Sequence, residues 1–217
     1  MAAKRKRAAR PMKKKSAARK PAARKSSAKR ATAPTVEKPA ARVGVIEVGG
    51  KPATVFGEDV RVGQKAPRFK AQVGQWAGLN TWEVVDPLEL TAGKVRILAA
   101  VPSLDTSVCD VETRKFNEAA SGLGGDVQVI TVSTDLPVAQ KRWCGAAGVE
   151  RVAAVSDHME AEFGIKYGTL IKERRYFRRA VFVVDRDDVI RYAAYMPKLG
   201  EEPNYDEVLN AARQWAG

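Results

Sequence analysis

The sequence predicts an α/β domain: a central mixed sheet flanked by helices, with a β-hairpin ahead of it. Three observations predict it. From Val95 onward, short runs of Val, Ile and Ala alternate with stretches of helical spacing, as in layered α/β domains. Near the end, Ala180 to Val184 and Val189 to Tyr195 surround Asp185-Arg186-Asp187-Asp188, a second hairpin that makes the sheet mixed. No Gly-rich dinucleotide fingerprint follows a strand, which argues against a nucleotide-binding doubly wound sheet.

The elements follow in order. Val45 to Val48 and Ala53 to Phe56 flank Gly49-Gly50-Lys51-Pro52, a small hairpin. Leu79 to Val84 is a weaker strand candidate after the turn-rich stretch Gly63 to Phe69. Val95 to Val101, broken only by Arg96, reads as a central strand covered on both faces. The chain turns at Pro102 into a helix with apolar positions Val108, Val111, Phe116, Ala119 and Ala120. Val127 to Val132 is the next buried strand. Asp135 is expected to cap a helix reaching about Gly145, with Pro137 in its first turn. Val152 to Val155 is a third short strand, and Glu160 to Tyr167 a short helix. After the second hairpin, Asn204 to Trp215 closes the chain as a helix with Leu209 and Ala212 at core spacing. This order fits the thioredoxin-like fold.

The charge is unevenly placed. The net charge is +13. Residues 1–42 hold 16 Lys and Arg against one acid, Glu37; residues 43–217 hold 22 basic and 24 acidic residues. The expected organisation is therefore a basic Ala/Lys/Arg/Pro-rich tail, 1–42, and a near-neutral domain, 43–217. The tail is expected to be disordered, because it has too little apolar surface to offset its ordering entropy. At 45% hydrophobic residues, the chain as a whole has enough apolar material for a core. No run reaches the ~18 apolar residues of a membrane span, and no secretory signal is visible, so a cytoplasmic protein is expected.

There are two cysteines, Cys109 and Cys144, and one histidine, His158. A disulfide-rich scaffold and a structural zinc site are excluded. Inert buried thiols or a redox pair remain. On count alone the inert reading is the commoner. Placement changes this for Cys109. It lies in Pro102-Ser103-Leu104-Asp105-Thr106-Ser107-Val108-Cys109, between a buried strand and a helix, hence in the first helical turn. Unpaired amides and the positive end of the helix dipole favour an anion there, and the thiolate is the nucleophilic form. Thr106, three residues earlier, is placed to bring its hydroxyl near the sulfur.

The octet resembles the peroxiredoxin pattern Pro-x-x-x-Thr-x-x-Cys, and more narrowly the thiol peroxidase branch. Arg114-Lys115-Phe116-Asn117, Thr134-Asp135-Leu136-Pro137, Arg142-Trp143-Cys144-Gly145-Ala146, Tyr167 to Glu173, Arg179 to Asp185 and Glu201 to Tyr205 are similar to further segments of that family. The resemblance implies that Cys109 is the peroxidatic cysteine of an atypical two-cysteine peroxiredoxin. Cys144 would be its resolving partner in an intrachain disulfide, with Thr106 and Arg179 hydrogen-bonding the thiolate and the peroxide. It further implies hydroperoxide as substrate, thioredoxin as reductant, no metal, haem or flavin, and a possible homodimer. Arg178 is expected on the face opposite Arg179. Arg174, Arg175 and Arg178 are expected to make the pocket rim more cationic. Asp105 is expected to form a turn, and His158 to face solvent near a helix start.

The tail's composition suits salt-sensitive, non-specific DNA binding through phosphate neutralisation, and hence nucleoid association. A targeting segment and a plain solubilising extension are its rivals. The alternative for the whole chain is a DNA-associated binding protein whose thioredoxin-like domain is redox-inactive. A Cys-x-x-Cys oxidoreductase is disfavoured, because that motif is absent.

Overall fold

The computed structural model describes residues 39–216. The expectations for the tail, disorder included, fall almost wholly outside that range. The elements are β1 (Ala41–Val48), β2 (Lys51–Phe56), β3 (Ala71–Gln75), β4 (Val84–Val85), α1 (Pro87–Leu90), β5 (Val95–Ala100), α2 (Ser107–Ala120) and β6 (Val127–Ser133). They continue with α3 (Pro137–Ala147), β7 (Val152–Ser156), α4 (Glu162–Lys166), β8 (Leu170–Ile171), β9 (Tyr176–Phe177), β10 (Ala180–Val184), β11 (Ile190–Tyr195) and α5 (Tyr205–Ala216).

Seven strands form the central sheet in the order β11-β10-β5-β6-β7-β3-β4. β5, β6 and β7 are parallel, and the flanking pairs are antiparallel, so the sheet is mixed as expected. All six residues of β5 are buried, which explains its uninterrupted apolar run. Its one charged residue, Arg96, is neutralised by Asp188 and bonds the Lys94 carbonyl. One apolar layer packs Phe69, Phe163, Tyr167 and Phe182 on one side of the sheet. The other packs Phe116, Trp143, Val208 and Ala212, together with both cysteines.

The N-terminal hairpin turns at Gly49-Gly50, both at positive φ. It does not join the central sheet. It makes a second, four-stranded sheet, β1-β2-β8-β9, whose last two strands the sequence did not announce. β1 starts at Ala41, and Arg42 is tied to the Gly57 carbonyl at 2.7 Å and to Asp59 at 2.8 Å.

Four further expectations are corrected. The strand expected at Leu79 to Val84 is mostly a turn, and the pairing strand is β3, eight residues earlier. Its pattern was hidden by Gly74, where a Cβ would fall 2.1 Å from Gln140 Oε1. Asp135 does not cap α3, whose N-cap position is Leu136. In α2, Val111 is 39% exposed while Glu112 is fully buried, so the inward face runs through Cys109, Glu112, Thr113 and Phe116. In α5, Val208 and Ala212 are the buried residues, and Leu209 is only half-buried.

Candidate active site

β5 ends at Ala100, and Pro102 to Asp105 carry the chain into α2. Cys109 is the third residue of that helix. Thr106 is its N-cap, with extended backbone and no side-chain bond to a helix amide. A threonine here ordinarily caps the second or third amide. In this chain its Oγ1 instead lies 2.8 Å from the Cys109 sulfur and 3.0 Å from the Ser103 carbonyl. The cap hydroxyl is diverted from the cysteine's amide to its thiol.

Arg179 closes the site from the residue before β10. One of its terminal nitrogens, Nη2, donates to the Cys109 sulfur at 3.2 Å and to the Leu199 carbonyl at 3.2 Å. The other, Nη1, pairs with Glu112. Burial works against the guanidinium's charge, but Glu112 and Cys109 outweigh it and hold the cation above its ordinary value. The guanidinium and the Thr106 hydroxyl thus both point donors at the sulfur, which sits in the first turn of α2.

Glu112 was not read from the sequence as a site residue. Burial pushes its carboxyl up to about 7, against the lowering effect of Arg179. Its Oε1 has no hydrogen-bond partner, so the pairing with Arg179 is what holds this side chain inside. Asp135 was read as a helix cap. Its carboxylate instead accepts from the Leu104 amide and the Ser133 hydroxyl, each at 2.8 Å, and so fixes the loop that leads to Cys109.

Beside the sulfur is a cleft of about 300 Å³ lined by Pro102, Thr106, Val108, Tyr176, Arg179 and Leu199, with Ser103, Ser107 and Gly200. Cys109 itself is buried behind Thr106 and Arg179, which line the cleft and contact its sulfur. Tyr176 comes from β9, and both Tyr176 and Leu199 lean on the hairpin's apolar cluster of Ile46, Ala53, Val55 and Ile171. The cationic rim expected from Arg174, Arg175 and Arg178 is not there. Arg175, at φ 57, reverses the chain between β8 and β9, and Arg174 lines a separate hollow beside Lys51 and Pro52. Arg178 faces away from Arg179, pairing with Asp59 beneath the Tyr195 ring. His158 does not simply face solvent: it is half-buried, with Nδ1 2.9 Å from the Ser156 hydroxyl.

Cys144 is not in this cleft. It sits in the last turns of α3, buried and free, as Cys109 is free on α2. Burial pushes its thiol up to about 11. Among the described residues, no group of three or more His, Cys, Asp or Glu is placed to hold a metal. No helix among them is long and apolar enough to cross a membrane.

The Redoxin family model matches residues 61–209. A thiol peroxidase of Halalkalibacterium halodurans is 44% identical over 164 residues, 76% of this chain and 94% of that protein. The chain belongs to the thiol peroxidase family of peroxiredoxins. The thiol peroxidase of Bacillus subtilis is likewise 43% identical, over 76% of this chain and 93% of its own. Among solved structures, a peroxiredoxin-like protein from Aquifex aeolicus superposes with a TM-score of 0.68 at 36% identity, covering 78% of this chain and 96% of that one. A thiol peroxidase from Chromobacterium violaceum, at 17% identity, shares the fold with a TM-score of 0.67. The domain of this peroxiredoxin is thus thioredoxin-like, and the protein is a thiol-dependent peroxidase. That sets aside the redox-inactive alternative.

Proposed function

We propose that Cys109 is the peroxidatic and Cys144 the resolving cysteine of a peroxidase acting on hydrogen peroxide and organic hydroperoxides, regenerated by thioredoxin. The observation that carries the assignment is the convergence of Thr106 Oγ1 and Arg179 Nη2, at 2.8 and 3.2 Å, on one buried sulfur, both residues also lining the adjacent cleft. The Cys109 thiolate attacks the distal oxygen of the hydroperoxide. The O–O bond breaks, and the remaining oxygen takes a proton and leaves as water or an alcohol. The sulfur becomes a sulfenic acid. Negative charge passes from sulfur to the departing oxygen, and the Arg179 guanidinium and Thr106 hydroxyl are placed to follow it without rearranging.

The Cys144 sulfur then bonds the Cys109 sulfur. The sulfenic oxygen leaves as water with the Cys144 proton. Two thiols of reduced thioredoxin restore both cysteines by exchange. A homodimer, implied by the resemblance, belongs to the same reading, and sedimentation of the reduced protein tests it. The deciding experiment is peptide mapping after one equivalent of peroxide. A Cys109–Cys144 linkage is expected; two unmodified thiols would overturn the reading.

The tail carries a second reading. Its charge asymmetry supports non-specific DNA binding by residues 1–42, and with it a cytoplasmic enzyme held at the nucleoid. Retention on duplex DNA should fall steeply with salt and be lost on deletion of residues 1–38, since each phosphate contact contributes about −0.9 to the log–log salt slope. Equal retention of both proteins would refute it.

A further inference from the structure

The end of α3 is fastened to α2 in one consistent register. Arg114 Nη1 donates to the Ala147 carbonyl at 2.8 Å, and its guanidinium lies over the Trp143 ring, 5.8 Å from the centroid. Asp110 steadies that guanidinium through Nε at 2.9 Å. Asn117 Oδ1 accepts from the Glu150 and Arg151 amides at 3.1 and 2.9 Å. These contacts tie α2 to the last residue of α3 and to the loop just beyond it, and both helices pack into the same apolar layer on one side of the central sheet. Helices packed side by side lie roughly 8–10 Å apart. A disulfide needs Cα atoms within about 7 Å. The Cys144 thiol, buried and protonated, is also a poor nucleophile where it sits. It must leave its turn before it reacts.

That turn is weak by composition. Gly145 follows Cys144 directly, inside the helix and exposed. A Cβ on it would meet nothing within 4 Å, so no neighbour requires a glycine. Glycine there lowers helix stability through backbone entropy. The turn ends at Gly148, left-handed at φ 66, and the Asn117-bound segment beyond it is the fixed end. Arg114 reaches back from α2 onto the turn that must open, binding its last carbonyl and covering the ring beside Cys144.

We propose that Arg114 and Gly145 form a latched gate on Cys144, in which Arg114 holds the turn shut, Gly145 loosens it, and their balance sets the rate of sulfenic acid resolution. The inference rests on the Cys109–Cys144 pairing. While the gate is shut, Cys109 keeps its sulfenic oxygen. A second peroxide then oxidises it to sulfinic acid, transferring one oxygen and leaving as water or alcohol. Disulfide formation and overoxidation therefore compete for one intermediate.

The test uses the full chain and rapid-quench mass spectrometry, timing disulfide formation from the sulfenic acid. Arg114→Ala is expected to speed it roughly five-fold, the size of one net hydrogen bond. Gly145→Ala is expected to slow it roughly five-fold, the size of the helix-propensity difference. Arg114→Lys, which keeps a cation near Trp143, should fall between Arg114→Ala and wild type. At excess peroxide the sulfinic fraction should fall in Arg114→Ala and rise in Gly145→Ala. Lys115→Ala, which removes the neighbouring exposed cation bonded to Glu202 at 2.7 Å, is the control. The gate is overturned if both variants move the rate in the same direction. It is also overturned if both stay within about two-fold of wild type, the scatter of ordinary surface substitutions. A wild-type protein that forms no Cys109–Cys144 bond overturns the pairing itself, and the gate with it.

Discussion

Glu112 and Arg179 form an ion pair in which both side chains are sealed from water, at 0% and 1% exposure. The guanidinium is thereby divided among three acceptors: the Glu112 carboxylate, the Cys109 sulfur and the Leu199 carbonyl. A planar fork spreads its donors over spaced nitrogens and so reaches all three acceptors; an ammonium's three donors radiate from a single nitrogen.

Arg179→Lys is therefore expected to behave almost as a deletion. The second-order rate of Cys109 oxidation should fall about 10²- to 10³-fold, the loss seen when one fixed donor to developing charge is removed. Competition kinetics against a peroxidase of known rate measures it. A loss under about five-fold would mean that point charge, not fork geometry, is what the sulfur needs.

The same pair predicts a pH dependence of stability. Burial pushes Glu112 up to about 7, and Asp157, buried at the end of β7, up to about 7 as well. An unfolded carboxyl ionises near pH 4. Between about pH 4 and pH 7 the unfolded chain gives up protons that the folded chain keeps, so stability declines as pH rises through that window. Melting curves should show a lower Tm at pH 7.5 than at pH 5, with a shallower decline in Glu112→Gln. A Tm that rises over this range would contradict the assignment.

Thr106→Val keeps the branched shape and removes the hydroxyl that lies 2.8 Å from the sulfur. The oxidation rate should drop about ten- to a hundred-fold, as for a hydrogen bond to a charged group. Thr106→Ser should recover most of it. Equal rates in Val and Ser variants would remove the hydroxyl from the mechanism.

Cys144→Ser separates the two steps. One equivalent of peroxide should still be consumed, but the product should be a Cys109 sulfenic acid trapped by dimedone, with no steady turnover on thioredoxin. Continued turnover at the wild-type rate would show that resolution does not pass through Cys144.

The local part of the site was legible because its chemistry is contiguous. Thr106 and Cys109 sit three apart at a helix start, and elementary helix geometry brings hydroxyl and sulfur together. Arg179, 70 residues along the chain from Cys109, has no such local signal and came only from the family resemblance. Glu112 was missed because an acid on an amphipathic helix ordinarily marks the solvated face. Its spacing from Cys109 and Phe116 was the available clue, and Val111 beside it drew the apolar face one residue off. Asp135 stood where a capping residue belongs, and nothing local said that it bonds the loop around Leu104. β3 was hidden for a packing reason: Gly74 makes room for Gln140, so the strand lacks the apolar alternation that would have marked it. Tyr176 and Leu199 became cleft residues only once two sheets were in place.

Leu199 meets Arg179 through its main-chain oxygen while its side chain forms part of the cleft wall. A carbonyl is untouched by almost any exchange at its own residue. Within the limits set by its packing on the hairpin cluster, position 199 can therefore change and reshape the entrance while the clamp on the guanidinium is kept. Selection can retune which peroxides enter without renegotiating the chemistry that awaits them.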